Sequence, residues 1–198
     1  IQVALERGVD LDLGRAVACV AEAQPVPVSE DVQRAVIAFV IGRLDVWLHE
    51  QGWPHDVIAA VLAEQGNRPL RALRGVAELA DWVKRDDWPL ILDNYARCVR
   101  ITRPEATVYP VDSARFVDEA EGALYEAYQT AAARLGDDSN VDAFLTAFEP
   151  VVPVIQYFFE AVLVNADDPA VRANRLGLLQ AIAGLARGRA DLSELAGF

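Results

Sequence analysis

The sequence contains no methionine and only two cysteines among 198 residues. Two thiols cannot staple a secreted scaffold, and such sparse use fits a reducing, cytoplasmic setting. No apolar run approaches the roughly 20 residues needed to cross a bilayer, and no signal peptide is expected. The first residue is Ile, so the expectation is a piece of a longer polypeptide. Basic residues are also in deficit: 18 Lys and Arg face 30 Asp and Glu, a net charge of −12. That balance is a poor starting point for a nucleic-acid binder. Catalytic patterns are missing too. There is no CxxC, no GxSxG and no Gly-rich phosphate loop, and His49 and His55 lack the spacing of a zinc-protease pair. Cys19 and Cys98 lie among apolar residues and read as small core residues. The carboxylates Asp118, Glu119, Glu121 and Glu126 read as an exposed acidic face. No metal or cofactor site is expected in this chain.

What the chain does have is helical periodicity nearly throughout. Ser29 followed by Glu30 and Asp31 is a capping hydroxyl with acids in the first turn. From there Val32, Val36, Phe39, Val40, Leu44 and Trp47 make one apolar stripe ending at Gly52. A short helix follows from Val57 towards Gly66. Pro69 suits the first turn of a third helix, with Leu70, Leu73, Val76, Leu79 and Val83 on its apolar side. Pro89 opens a fourth, which Pro104 stops. Thr102 to Val111 lacks apolar period and reads as a linker. Asp112 and Ser113 are expected to cap a long helix through Ala133. The next runs from Val141 and is broken or kinked by Pro150 and Pro153. Asp167 or Asp168 with Pro169 starts the last. The reading is all-α, a helical bundle.

Charge is spread unevenly. Residues 68–103 carry eight basic and five acidic side chains, a net +3, whereas the segments before and after carry −6 and −9. Within the basic block, Arg68, Arg71 and Arg74 share one helical face, and so do Arg97, Arg100 and Arg103. Arginine rows of this kind track phosphates and stack on bases. The alternative is a solvated face paired with neighbouring acids. High-GC coding would also favour Arg over Lys, and only Lys84 departs from Arg.

Several ordered stretches carry a resemblance. Leu5–Leu13 (LERGVDLDL), Phe39–Leu44 (FVIGRL), His55–Leu62 (HDVIAAVL), Glu121–Tyr125 (EGALY) and Asn94–Ile101 (NYARCVRI) lie in the order of one family. Towards the end, Phe158–Val164 (FFEAVLV), Asp167–Leu179 (DDPAVRANRLGLL) and Ala190–Leu195 (ADLSEL) continue it. Together these resemble the C-terminal part of the bacterial glycyl-tRNA synthetase β subunit. Arg100 stands where that family more often has a small polar residue.

The resemblance implies a β chain acting with a catalytic α subunit, either as α2β2 or as one fused chain. The α part would use ATP and Mg to charge tRNA(Gly) with glycine. This stretch would supply a helical anticodon-binding domain similar to that of arginyl-tRNA synthetase. It implies residues 1–28 as the tail of a preceding domain, 29–88 as a smaller helical segment and 89–198 as the anticodon-binding domain. The expected RNA contacts are Arg97 and Arg100, with Tyr95 stacking, and Arg68, Arg71 and Arg74 alongside. Arg172 and Arg175 are further candidates, although an ion pair at the helix start would explain them equally. Glycine anticodons share two cytosines, whose amines call for a carboxylate or a backbone carbonyl. The competing reading is a subunit-assembly module that never touches RNA. A helical enzyme built on a carboxylate pair is a third.

Overall fold

The computed structural model describes residues 1–198. It is helical without strands, in agreement with the all-α expectation. The chain forms two compact units, one of residues 1–84 with 188–196, the other of 85–187 with 197–198. No helix is long and apolar enough to cross a membrane.

The first unit holds α1 (Gln2–Glu6), α2 (Leu13–Glu22), α3 (Glu30–Glu50), α4 (His55–Gln65) and α5 (Pro69–Val83). Ser29 caps α3 by accepting the Val32 N–H, and Pro69 stands in the first turn of α5, as expected. After α3 the chain reverses through Gly52, whose φ of +87° suits a residue without a Cβ. Helix α4 is apolar nearly all round, and Val57, Ile58, Ala60 and Val61 are fully buried. One side meets α5 and α3. The other is covered by the returning segment 188–196, whose short 3-10 turn Leu192–Glu194 brings in the buried Leu192 and Leu195. Backbone groups close that seam: Asp191 N–H donates to the Ala60 carbonyl at 2.8 Å, and Ala196 N–H to Asp56 at 3.0 Å.

The stripe expected on α3 is corrected in its first half. Leu44 and Leu48 are buried, but Val32, Val36 and Phe39 are exposed, Phe39 at 69%. The ten-residue α2 lies beside α3 and is too short to cover more than one side of it.

The second unit holds α6 (Trp88–Thr102), α7 (Glu119–Ala133), α8 (Val141–Phe148), α9 (Val152–Ala161) and α10 (Pro169–Ala183). Helix α10 packs along α6, and α7 along α9. Phe144, Phe148, Phe158, Leu124, Ile155 and Leu176 form the centre. Pro150 and Pro153 do break the helix. Helix α8 stops at Phe148, a 3-10 turn spans Glu149–Val151, and α9 resumes with Pro153 in its first turn. A proline ring removes an N–H and clashes with the preceding turn anywhere else.

Two expectations are corrected here. Asp112 caps only a 3-10 turn over Ser113–Arg115, and α7 begins later, where Asp118 and Glu121 make a reciprocal capping box. The segment expected as a linker is strapped down inside this unit. Gln180 accepts the Tyr109 N–H and donates to the Thr107 carbonyl, each at 2.9 Å, while Asn174 bonds both backbone groups of Asp112. Gly177 admits this strap, because a Cβ there would stand 2.7 Å from the Tyr109 carbonyl oxygen.

Candidate nucleic-acid interface

Helix α6 is two-sided. Ile91, Leu92, Tyr95, Cys98 and Thr102 are buried, and the remaining side presents Asp93, Arg97, Arg100 and, just past its end, Arg103. The steps of four, three and three residues keep these on one side of the helix. Two aromatic rings from distant parts of the sequence meet the row. The Arg97 guanidinium lies 4.1 Å from the centroid of Phe159, on α9. Those of Arg100 and Arg103 lie 5.5 and 5.8 Å from the Phe198 ring. All three distances fall within cation–π range, which holds the guanidiniums in place without neutralising them. Arg97 and Arg103 form no ion pair, and Arg100 has only a loose contact with Asp93 at 3.9 Å. This is a half-exposed platform of fixed positive charge and flat rings.

The remaining candidates divide by environment. Arg68 and Arg71 belong to the first unit and are already engaged. Arg68 donates to Asp10 at 2.9 Å and to Asp12 at 3.2 Å, and Arg71 lies 3.7 Å from Asp10. The hydrogen bond from Arg68 is the chief reason that the Asp10 carboxyl sits below its ordinary pKa. Asp12 is lowered first by the Arg15 backbone N–H and then by Arg68. Arg74, on the same helix, is exposed and forms no ion pair. In the second unit Arg172 reaches Glu105 at 2.8 Å while remaining 46% exposed.

Two candidates are corrected. Tyr95 is not available for stacking on RNA. Its ring is buried edge-on to Phe148 and Phe144, and its hydroxyl donates to the Ala183 carbonyl at 3.0 Å. Arg175 is buried, paired with Glu121 rather than with Asp167 or Asp168, and donates to the Leu163 carbonyl at 2.8 Å. Glu121 accordingly leaves the acidic face to which the charge pattern assigned it. Cys19 is corrected as well, being exposed, whereas Cys98 is buried as expected.

The two histidines, read singly from the sequence, meet. His49 in the last turn of α3 and His55 at the start of α4 approach to 2.9 Å between Nε2 and Nδ1. The His49 Nδ1 lies 2.9 Å from the Asp45 carbonyl oxygen. No group of three or more metal-ligating side chains comes together anywhere in the chain.

Sequence reasoning missed Phe159, Phe198 and Asp93 as parts of the platform. Phe159 is 62 positions from Arg97 and Phe198 is 98 from Arg100, so no local spacing announces either. Asp93 was legible as the one acid in register with the arginine row.

No family model matches the chain. Curated relatives do. Over the whole of this chain, it is 31% identical to the "Glycine--tRNA ligase, chloroplastic/mitochondrial 2" of Arabidopsis thaliana and covers 19% of it. It is 37% identical to the "Glycine--tRNA ligase beta subunit" of Cereibacter sphaeroides over 83% of this chain and 25% of that protein. With the subunit of the same name from Geotalea daltonii the identity is 33%, over 84% of this chain and 24% of the relative. The chain thus spans about a fifth to a quarter of the length of the relatives it matches.

Proposed function

We propose, from the premise that the chain belongs to the glycine–tRNA ligase β-subunit family, that it is the part of such a ligase that holds the anticodon region of tRNA(Gly). The observation that carries this reading is the platform on α6, where Arg97, Arg100 and Arg103 keep their charge beside Phe159 and Phe198. Single-stranded RNA asks for such a surface: guanidiniums for phosphates, and rings or guanidinium planes for splayed bases. Residues 89–198, which contain the platform, are the part assigned to anticodon binding. Arg74 and the partly exposed Arg172 extend the positive surface of their own units, and Arg68 and Arg71 contribute less because Asp10 and Asp12 already hold them.

The charging reaction itself belongs to a catalytic α part, as a separate subunit or a fused segment. This chain has no Gly-rich cradle for ATP phosphates, so ATP and Mg would be held there. On this reading the protein works in the cytoplasm or in an organelle that makes protein.

A second reading, docking onto another subunit or domain, draws on the exposed row Val32, Val36 and Phe39 of α3. Binding of the full-length protein to tRNA(Gly), at low and moderate salt, separates the two. Phosphate contacts release counterions, so affinity should fall steeply with salt, and Arg97→Ala should flatten the slope by about one unit. Salt-independent binding, or none, would favour docking.

A further inference from the structure

The arginine row on α6 contains one carboxylate, and we propose that this residue, Asp93, reads a cytosine base of the bound RNA. The proposal rests on the RNA-binding reading above and adds to it the base and the residue that selects it. Asp93 Oδ1 lies 3.9 Å from Arg100 Nη1, close enough for the charges to hold each other's orientation and too far for a hydrogen bond. Both side chains are open, at 69% and 48% exposure, so their hydrogen-bonding capacity is unspent. A carboxylate only accepts and a guanidinium only donates. Side by side, they offer an acceptor followed by donors.

The Watson–Crick edge of cytosine is the complement of that order. Its exocyclic amine is a donor, and the ring N3 and the O2 carbonyl beside it are acceptors. Asp93 takes the amine and Arg100 donates to the two acceptors. Uracil places a carbonyl oxygen where the amine stood, setting lone pairs against the Asp93 carboxylate. The Phe198 ring and the Arg103 guanidinium beside it give the base a flat surface to lie on. Several acids of this unit are engaged. Asp87 and Glu149 accept from Arg85, Glu105 holds Arg172 and the Tyr109 hydroxyl, and Glu121 is buried. Asp93 has no such partner. Every glycine codon begins with two guanines, so the cytosine is one of the two that pair with them. Uracil also turns an N3–H towards the Arg100 donors, so Asp93 supplies one of the two contacts that disfavour it.

The test uses full-length protein, wild type and Asp93→Asn, with tRNA(Gly) in which each anticodon cytosine is changed singly to uracil or guanine. Wild type should lose about tenfold in affinity on one cytosine-to-uracil change. In Asp93→Asn that ratio should shrink to about threefold, because an amide can turn its donor towards the uracil carbonyl while the uracil N3–H still faces Arg100. Overall affinity should stay level or rise, since a negative charge beside the phosphates is gone, and a folding defect would not do this. Guanine at the same position should bind as poorly as uracil to the wild type. If Asp93→Asn keeps the full cytosine preference, or guanine binds as well as cytosine, the assignment to Asp93 is overturned. Weakened binding in Arg97→Ala and Arg103→Ala would in that case still uphold the RNA reading. If the wild type shows no salt-dependent binding, both fail.

Discussion

Arg175 and Glu121, 54 positions apart, form an ion pair whose side chains are 10% and 1% exposed. Further hydrogen bonds anchor both partners. Arg175 also donates to the Leu163 carbonyl, and the Glu121 carboxylate also accepts the backbone N–H groups of Val117 and Asp118. Removing one partner strands a charge in a medium that solvates it poorly. Arg175→Ala should cost about 3–5 kcal/mol, measured by urea unfolding. A loss near that of a surface pair, below about 1 kcal/mol, would show that water reaches the site.

Tyr95 supports the platform from beneath, with its ring 6.5 Å from that of Phe198. Tyr95→Phe leaves the packing and removes the hydrogen bond to the Ala183 carbonyl. It should lower stability by about 1 kcal/mol and leave RNA affinity unchanged. Phe198→Ala should do the reverse, weakening RNA binding about tenfold through lost stacking with little change in melting temperature. Equal effects of both on RNA affinity would mean that Tyr95 touches the RNA after all.

Gly177→Ala tests the strap. The new methyl would collide with the backbone of Tyr109 and not with a yielding side chain. We expect a loss of about 1–3 kcal/mol and earlier exchange of the Tyr109 amide with deuterium. Gly122→Ala, with nothing near its Cβ and an ordinary helical position, should be neutral or stabilising.

The two thiols should differ sharply. Burial pushes the Cys98 thiol up from 9.0 to about 12, so at pH 8 only Cys19 should react with a thiol reagent until the protein unfolds. The same shift sets a direction with pH. The folded state keeps a proton on Cys98 that the unfolded state sheds above about pH 9, so this contribution to stability is complete below pH 9. It declines as pH rises towards 12, and Cys98→Ala should remove that decline. Two thiols reacting at once in the native protein would contradict the buried placement.

How far the sequence reached can be judged helix by helix. Capping residues such as Ser29 and Asp168, and the prolines at 69, 150 and 153, act within one turn and are legible. The start of α7 was misread because Asp112 and Asp118 are both good caps, and the choice was made by Asn174 drawing Asp112 into the strap. The exposed row on α3 shows the limit of periodicity. Val32, Val36 and Phe39 have the right spacing, but only a neighbour can bury them. The arginine row was legible from spacing alone. That Arg68 is held by Asp10 while Arg97 lies free over Phe159 was not, because those partners are 58 and 62 positions away.

The excursion of the chain out of the first unit at Lys84 and back at Gly188 fixes an order of events on the ribosome. When α4 has been made, the segment that covers its far side has not. Gln65 waits 124 residues for the Arg189 carbonyl, and Glu64 as long for the Gly188 amide. Until then Val57, Ile58 and Val61 lack part of their cover, and a nascent chain paused in this interval exposes a surface that aggregates or recruits a chaperone. The helices made in between must fold as a guest inside an unfinished host. The nine residues 188–196 are the piece that lets the first unit close.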